Sequence, residues 1–187
     1  MKKNIPNIIT SMNLLLGWTS IYFAYLAEIE LAIGAILLAS VFDYFDGFAA
    51  RKLNVQSALG TQLDSFADLI TFGIAPAVIV FSVSSLSLLF VEKQMEFWLF
   101  LILGFIPLLG AIRLARFNTF KDESPFFIGL PIPAFALITI SLTWTYLEYS
   151  SLMVNIDNYQ VFLPLTIVLI SFLMVSKWKF LSLKVKN

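Results

Sequence analysis

The sequence contains no cysteine and no histidine. Their absence removes disulfides, thiolate nucleophiles, haem or zinc ligation by these residues, and imidazole acid–base chemistry. Proton transfer must fall to a carboxylate, lysine, tyrosine or water. A metal site must be built from oxygen ligands, which suits Mg²⁺, Mn²⁺ or Ca²⁺. Charge is also scarce. Only 13% of the 187 residues are charged, 59% are hydrophobic, and mean hydropathy is +0.89. A soluble domain of this length needs far more polar surface, so the composition predicts an integral membrane protein. No internal repeat or long linker interrupts the chain, and a single all-α domain over residues 1–187 is expected.

Six apolar segments of spanning length can be drawn: Ile8–Ala27, Ile29–Ala50, Ala58–Val83, Phe97–Phe117, Ile128–Tyr146 and Tyr159–Ser176. Asn7, Thr10 and Asn13 interrupt the start of the first, so it reads as a retained helix rather than a signal peptide. Six spans place Lys2, Lys3, Arg51, Lys52, Arg113, Arg116, Lys121, Lys177, Lys179, Lys184 and Lys186 on one side. Lys93 alone falls opposite, with Glu28, Glu30, Glu92, Glu96, Glu148 and Asp157. By the positive-inside rule both termini are cytoplasmic. Trp178, between Lys177 and Lys179, reads as an interfacial anchor.

Against this apolar background one stretch stands out, DYFDGFAARKLNVQSALGTQLDSFAD from Asp43 to Asp68. Asp43 and Asp46 are spaced i,i+3, and Asp64 and Asp68 are spaced i,i+4, so each pair shares a helix face. An antiparallel hairpin turning near Asn54–Gln56 sets Asp46 level with Asp64 and Asp43 level with Asp68. All four carboxylates then converge. Two unit charges ~4 Å apart repel by about 4 kcal/mol at an effective dielectric of ~20. Two divalent cations would cancel four carboxylates; a water-filled cleft with partly protonated aspartates is the other reading. Gly47 and Gly60 flank the cluster, which suits close approach of a ligand or of another helix. Arg51 could hold a diphosphate beside the cations or snorkel to the cytoplasmic surface.

The spacing D-x-x-D-G-x-x-A-R-x8-G-x-x-x-D-x-x-x-D is filled by Asp43, Asp46, Gly47, Ala50, Arg51, Gly60, Asp64 and Asp68. It resembles, position by position, the signature of the CDP-alcohol phosphatidyltransferases. PNIITSMNLLLG at the start, SALGTQLDSFADLITFGIAPA, RLARFN at Arg113–Asn118 and FIGLPIPA at Phe127–Ala134 look like the bacterial members that use serine as acceptor. The likeness runs from about Pro6 to Ala134.

The resemblance implies a six-span fold with a cytoplasm-facing cavity in the inner membrane, holding two divalent cations, Mg²⁺ or Mn²⁺. It implies CDP-diacylglycerol and L-serine as substrates, contact with membrane lipid, a homodimer, and no nucleic-acid partner. Carried over, Asp43 and Asp64 bridge both cations, Asp46 completes the first and Asp68 the second. Asp68 is also the general base for the acceptor hydroxyl. Gly47, Arg51, Ser57 and Gly60 fall to the CDP-lipid, and Asn7 and Thr10 to its nucleotide. Arg113 and Arg116, spaced i,i+3, are candidates for serine's carboxylate; anchoring to lipid headgroups is the alternative. Other acceptors, glycerol 3-phosphate or an inositol phosphate, remain open, as does a cation transporter built on the same carboxylates.

The topology is directly measurable in a chain with no native thiol. A cysteine replacing Asn54 is expected to react with an impermeant maleimide from the cytoplasmic side, and one replacing Gln94 from the other. Reaction of both from one side rules out the six-span arrangement.

Overall fold

The computed structural model describes residues 4–53, 55, 57–87, 93–119, 126–150 and 159–181. Lys2, Lys3, Asn54, Gln56, Glu92, Lys121, Asp157, Lys184 and Lys186, used above to set the turn and the charge partition, lie outside those residues. The described chain is almost wholly helical: α1 (Ile5–Tyr25), α2 (Ile29–Leu53), α3 (Ala58–Asp68), α4 (Ala75–Ser87), α5 (Lys93–Leu103), α6 (Phe105–Thr119), α7 (Ile132–Ser150) and α8 (Tyr159–Ser171). Among the described residues, three rods are long and apolar enough to cross a membrane, Ile29–Leu53, Ala58–Ser85 and Gln94–Thr119, with a shorter apolar helix at Val161–Val175. α1 and α7 carry more polar residues, among them Asn7, Asn13, Thr139 and Thr143.

Proline explains where the rods depart from regular α-helix. A π turn, Leu69–Ile74, joins α3 to α4, with the Ala75 amide donating to the Ile70 carbonyl. Pro76 follows directly. It has no amide hydrogen, and its ring crowds the carbonyl four residues back, so a strict α register cannot run through it. Likewise the rod after Lys93 breaks at Gly104, three residues before Pro107. The sequence predicted no strand. The structure adds one short antiparallel pair, β1 (Phe126–Ile128) with β2 (Lys179–Leu181). It lies in flanking segments outside the long rods, so the fold remains helical in character. Gly129, at φ +78°, turns the chain from β1 toward α7. Its own amide donates to the Trp178 carbonyl, and the Leu130 amide donates to the Leu173 carbonyl in the 3₁₀ turn (Phe172–Val175) that follows α8.

α1 is inverted relative to a helix of a soluble protein. Its buried face is small and polar, with Pro6, Thr10, Asn13, Gly17, Ser20 and Ala24. Its exposed face is large and apolar, with Ile8, Met12, Leu15, Trp18, Tyr22 and Tyr25. That pattern suits a lipid-facing helix whose backbone approaches its neighbours closely. Hydrogen bonds at two levels fix the antiparallel register with α2. The Ser20 hydroxyl donates to the Ala32 carbonyl at 2.8 Å, and the Thr10 hydroxyl donates to Asp46 at 2.7 Å. The apolar core lies beyond the carboxylate level, where Phe72, Ile79, Val80, Ile106, Ile132, Phe135 and Ile167 are fully buried.

The closest approach is at Gly17, where an added Cβ would lie 2.8 Å from the Thr71 Cα. Gly34, on the same helical hairpin, has nothing within 4 Å of that position. Gly17→Val is therefore expected to force α1 off the π turn and destabilise the protein by about 1–3 kcal/mol. Gly34→Ala is expected to be neutral, or stabilising by up to about 1 kcal/mol from helix propensity. Thermal unfolding in detergent measures both, and equal effects of the two variants contradict this packing.

Candidate active site

The hairpin predicted from sequence forms. α2 carries Asp43 and Asp46 toward its C-terminal end, and α3 carries Asp64 and Asp68. Ser57 starts α3 as an N-cap. Its backbone is extended (φ −137°, ψ 150°) and its hydroxyl accepts the Gly60 amide at 3.0 Å. Asp43, Asp64 and Asp68 each bring one carboxylate oxygen within 4.8 Å of the others. The Asp43 and Asp68 carboxyls lie within hydrogen-bonding reach of each other.

Asp46 stands beside this group rather than in it. It is the most buried of the four, 5% exposed, and accepts a hydrogen bond from Thr10. The Thr10 hydroxyl also lies 3.0 Å from the Pro6 carbonyl. Thus three carboxylates converge and the fourth is tied to α1, still a charged neighbour of Asp64. Asp68 Oδ1 is buried without a hydrogen-bond partner. A gathering of oxygen ligands with an unmatched buried acceptor fits hard divalent cations, which offset like charge and prefer carboxylate oxygen.

Around the carboxylates, other expected residues group at two places. An added Cβ on Gly60 would lie 3.0 Å from Asn7 Oδ1 and 3.1 Å from Ser57 Oγ. Asn7, Ser57 and Gly60 therefore meet where α1 and α3 begin. Arg51 is exposed, and its Nη1 would be 3.4 Å from a Cβ on Gly47. The absence of a side chain at Gly47 leaves room for the guanidinium to lie back along α2. The two arginines of α6 separate. Arg113 is half-buried and interacts electrostatically with Asp68, and its Nε has no hydrogen-bond partner. Arg116 is exposed and donates from Nη1 to the Val175 carbonyl at 3.3 Å. Their i,i+3 spacing puts them on neighbouring turns, but their side chains reach different partners.

Sequence reasoning missed three positions. Asn118 donates from Nδ2 to Ser65 Oγ at 2.8 Å, tying α6 to α3 beside Asp64. Thr71 donates to the Asn13 backbone carbonyl at 3.1 Å, tying α1 to the π turn. Asn13 itself is fully buried. The signal was a polar residue inside an apolar segment, which for Asn13 was used to argue against a signal peptide and, within PNIITSMNLLLG, for the resemblance, with no role of its own. An apolar groove lined by Trp18, Thr19, Ile21, Tyr22, Tyr25 and Val78 lies toward the other end of α1 and holds no charged group.

The chain belongs to the CDP-alcohol phosphatidyltransferase family, which it matches over residues 3–173. Among curated relatives it is 36% identical to the CDP-diacylglycerol–serine O-phosphatidyltransferase of Bacillus subtilis over 176 residues. That match covers 94% of this chain and 89% of the relative. It is 33% identical to the Helicobacter pylori (strain ATCC 700392 / 26695) enzyme of the same name, covering 96% of this chain and 72% of that one. It is also 33% identical to the archaetidylserine synthase of Methanothermobacter thermautotrophicus, covering 81% of this chain and 64% of that one.

A cation at this site is open to direct titration. Mn²⁺ binding followed by electron paramagnetic resonance is expected to weaken at least about tenfold in Asp43→Asn and Asp64→Asn, since each removes a charged carboxylate from the cluster. Unchanged Mn²⁺ affinity in both variants takes these residues out of any metal site.

Proposed function

We propose that this protein transfers the phosphatidyl group of CDP-diacylglycerol to the hydroxyl of L-serine, forming phosphatidylserine and CMP. The observation that carries this reading is the convergence of Asp43, Asp64 and Asp68, with Asp68 keeping one buried oxygen free. The relatives support the acceptor, because serine products are named for bacterial and archaeal members alike. Two divalent cations, Mg²⁺ or Mn²⁺, held by Asp43, Asp46, Asp64 and Asp68, would supply charge neutralisation for the diphosphate and for departing CMP.

The chain's own groups divide the remaining work. Asp68 accepts the serine hydroxyl proton as the Oγ–phosphorus bond forms and the bond from phosphorus to the CMP oxygen breaks. Asn7, Ser57 and Gly60, gathered at the start of α1 and α3, take the nucleotide side of the CDP-lipid, together with Thr10. The hydrogen bond from Thr10 to Asp46 also orients that carboxylate. Arg51, with Gly47 beneath it, neutralises diphosphate charge. Arg113 offers serine's carboxylate a cation next to Asp68, and Arg116 is better placed to hold the 3₁₀ turn after α8.

The membrane supplies the rest of the reading. Acyl chains of the CDP-lipid stay in the bilayer while serine and CMP exchange with water. Six spans, cytoplasmic termini, a cytoplasm-facing cavity in the inner membrane, one domain and a homodimer complete the proposal. The partition of basic residues supports the orientation.

Purified protein incubated with CDP-diacylglycerol, Mn²⁺ or Mg²⁺ and a panel of serine, glycerol 3-phosphate and an inositol phosphate tests the activity by CMP release. Serine is expected to be preferred. Asp68→Asn is expected to lower turnover by ~10²–10⁴-fold or more, since a general base and a ligand are lost together. Arg113→Lys loses the planar fork and is expected to raise the serine KM severalfold with little effect on the CDP-lipid KM. Arg116→Lys is expected to leave the serine KM alone. Preference for glycerol 3-phosphate, or near-normal turnover by Asp68→Asn, overturns the reading.

A further inference from the structure

Among the described residues, three polar groups from the three helices α1, α3 and α6 are buried without hydrogen-bond partners. They are both side-chain atoms of Asn13 on α1, Oδ1 of Asp68 on α3, and Nε of Arg113 on α6. A buried carboxamide with neither its donor nor its acceptor matched is unfavourable, and such a group is usually waiting for a partner. Asn13 is 0% exposed.

Its position follows from the register. Thr10 and Asn13 lie three residues apart on the buried face of α1. Thr10 meets Asp46, and α2 runs antiparallel, with Ser20 meeting Ala32 farther along. One turn from Thr10 on α1, Asn13 therefore comes level with Asp43, one turn from Asp46 on α2. From the other side, the Asn13 carbonyl accepts the hydroxyl of Thr71, three residues past Asp68. Asn13 is thereby bracketed by the levels of Asp43 and Asp68. Among the described residues, the buried hydroxyls of Ser84 and Thr139 also lack partners but sit on α4 and α7.

The unmatched groups complement one kind of small molecule. Asp68 can receive a hydroxyl proton, Arg113 can bind a carboxylate, and the carboxamide of Asn13 offers an amide donor and an oxygen acceptor side by side. A zwitterionic hydroxy amino acid presents a hydroxyl, a carboxylate and an ammonium on adjacent carbons. A phosphorylated acceptor carries more negative charge and no ammonium, and would call for further cations. We propose that Asn13 is an acceptor-binding residue, its carboxamide oxygen taking the ammonium of the amino-acid acceptor and its NH₂ group sharing the carboxylate with Arg113. This inference rests on serine being the acceptor, as proposed above.

The test separates the two ideas. Serine-dependent CMP release by the wild type tests the function alone. With that in hand, Asn13→Ala is expected to raise the serine KM about tenfold or more, while the CDP-diacylglycerol KM stays within about twofold. N-acetylserine and serine methyl ester, which lack the ammonium and the carboxylate charge, are expected to inhibit the wild type at least about tenfold more weakly than D-serine does. That discrimination against N-acetylserine is expected to collapse in Asn13→Ala, which a packing role would not produce. Asn13→Asp, equal in size, serves if the alanine variant does not fold. It keeps an oxygen and loses the amide donor, so serine methyl ester is expected to gain on serine. An unchanged serine KM, parallel rises in both KM values, or discrimination that persists in the variant overturns the role of Asn13. A wild type that uses glycerol 3-phosphate and not serine overturns both readings.

Discussion

Carboxylates buried in helices suited to a bilayer impose the governing constraint on this protein. Charge at that depth is tolerated only when it is matched, neutralised or reached by water. Every unusual feature nearby answers to it. Thr10 hydrogen-bonds Asp46 from the next helix, and Ser57 caps α3 so that its first turn is formed where the acidic segment begins. Asn118 and Ser65 hold α6 alongside. The three converging carboxylates are left as a set whose oxygens suit a hard cation.

The close contact of α1 makes that arrangement possible. In lipid there is little hydrophobic drive between helices, so association depends on backbone approach and on interhelical hydrogen bonds. The face formed by Thr10, Asn13, Gly17 and Ser20 provides both. It brings polar groups to the carboxylates from a helix that contributes no charge of its own, while Trp18, Tyr22 and Tyr25 remain on the outer face.

Much of this was legible in the sequence because the signals were local. The i,i+3 and i,i+4 aspartates, the glycines between them and the apolar runs fix the hairpin and its acidic face. The divergence of Asp46 was not legible, because its partner Thr10 lies 36 residues away and is paired through tertiary packing. Helical spacing put Arg113 and Arg116 on neighbouring turns, but only the position of Val175 decides that Arg116 reaches a carbonyl. The β1–β2 pair joins segments more than fifty residues apart and has no short-range signature. Proline was visible in the sequence, but whether Pro76 would kink, break or widen its helix depends on packing around Phe72 and Gly73.

The π turn at Leu69–Ile74 makes one rod behave as two separately phased parts. An α-helix advances about 100° per residue, so one extra residue in a turn rotates everything beyond it by roughly that angle. Asp64 and Asp68 are thereby aimed at α2 independently of the way Ile79, Val80 and Val83 are aimed into the apolar core. The carboxylate-bearing half of the rod and its apolar half are decoupled in azimuth. Side chains on either half can be exchanged during evolution without re-indexing the other, as long as the turn absorbs the mismatch.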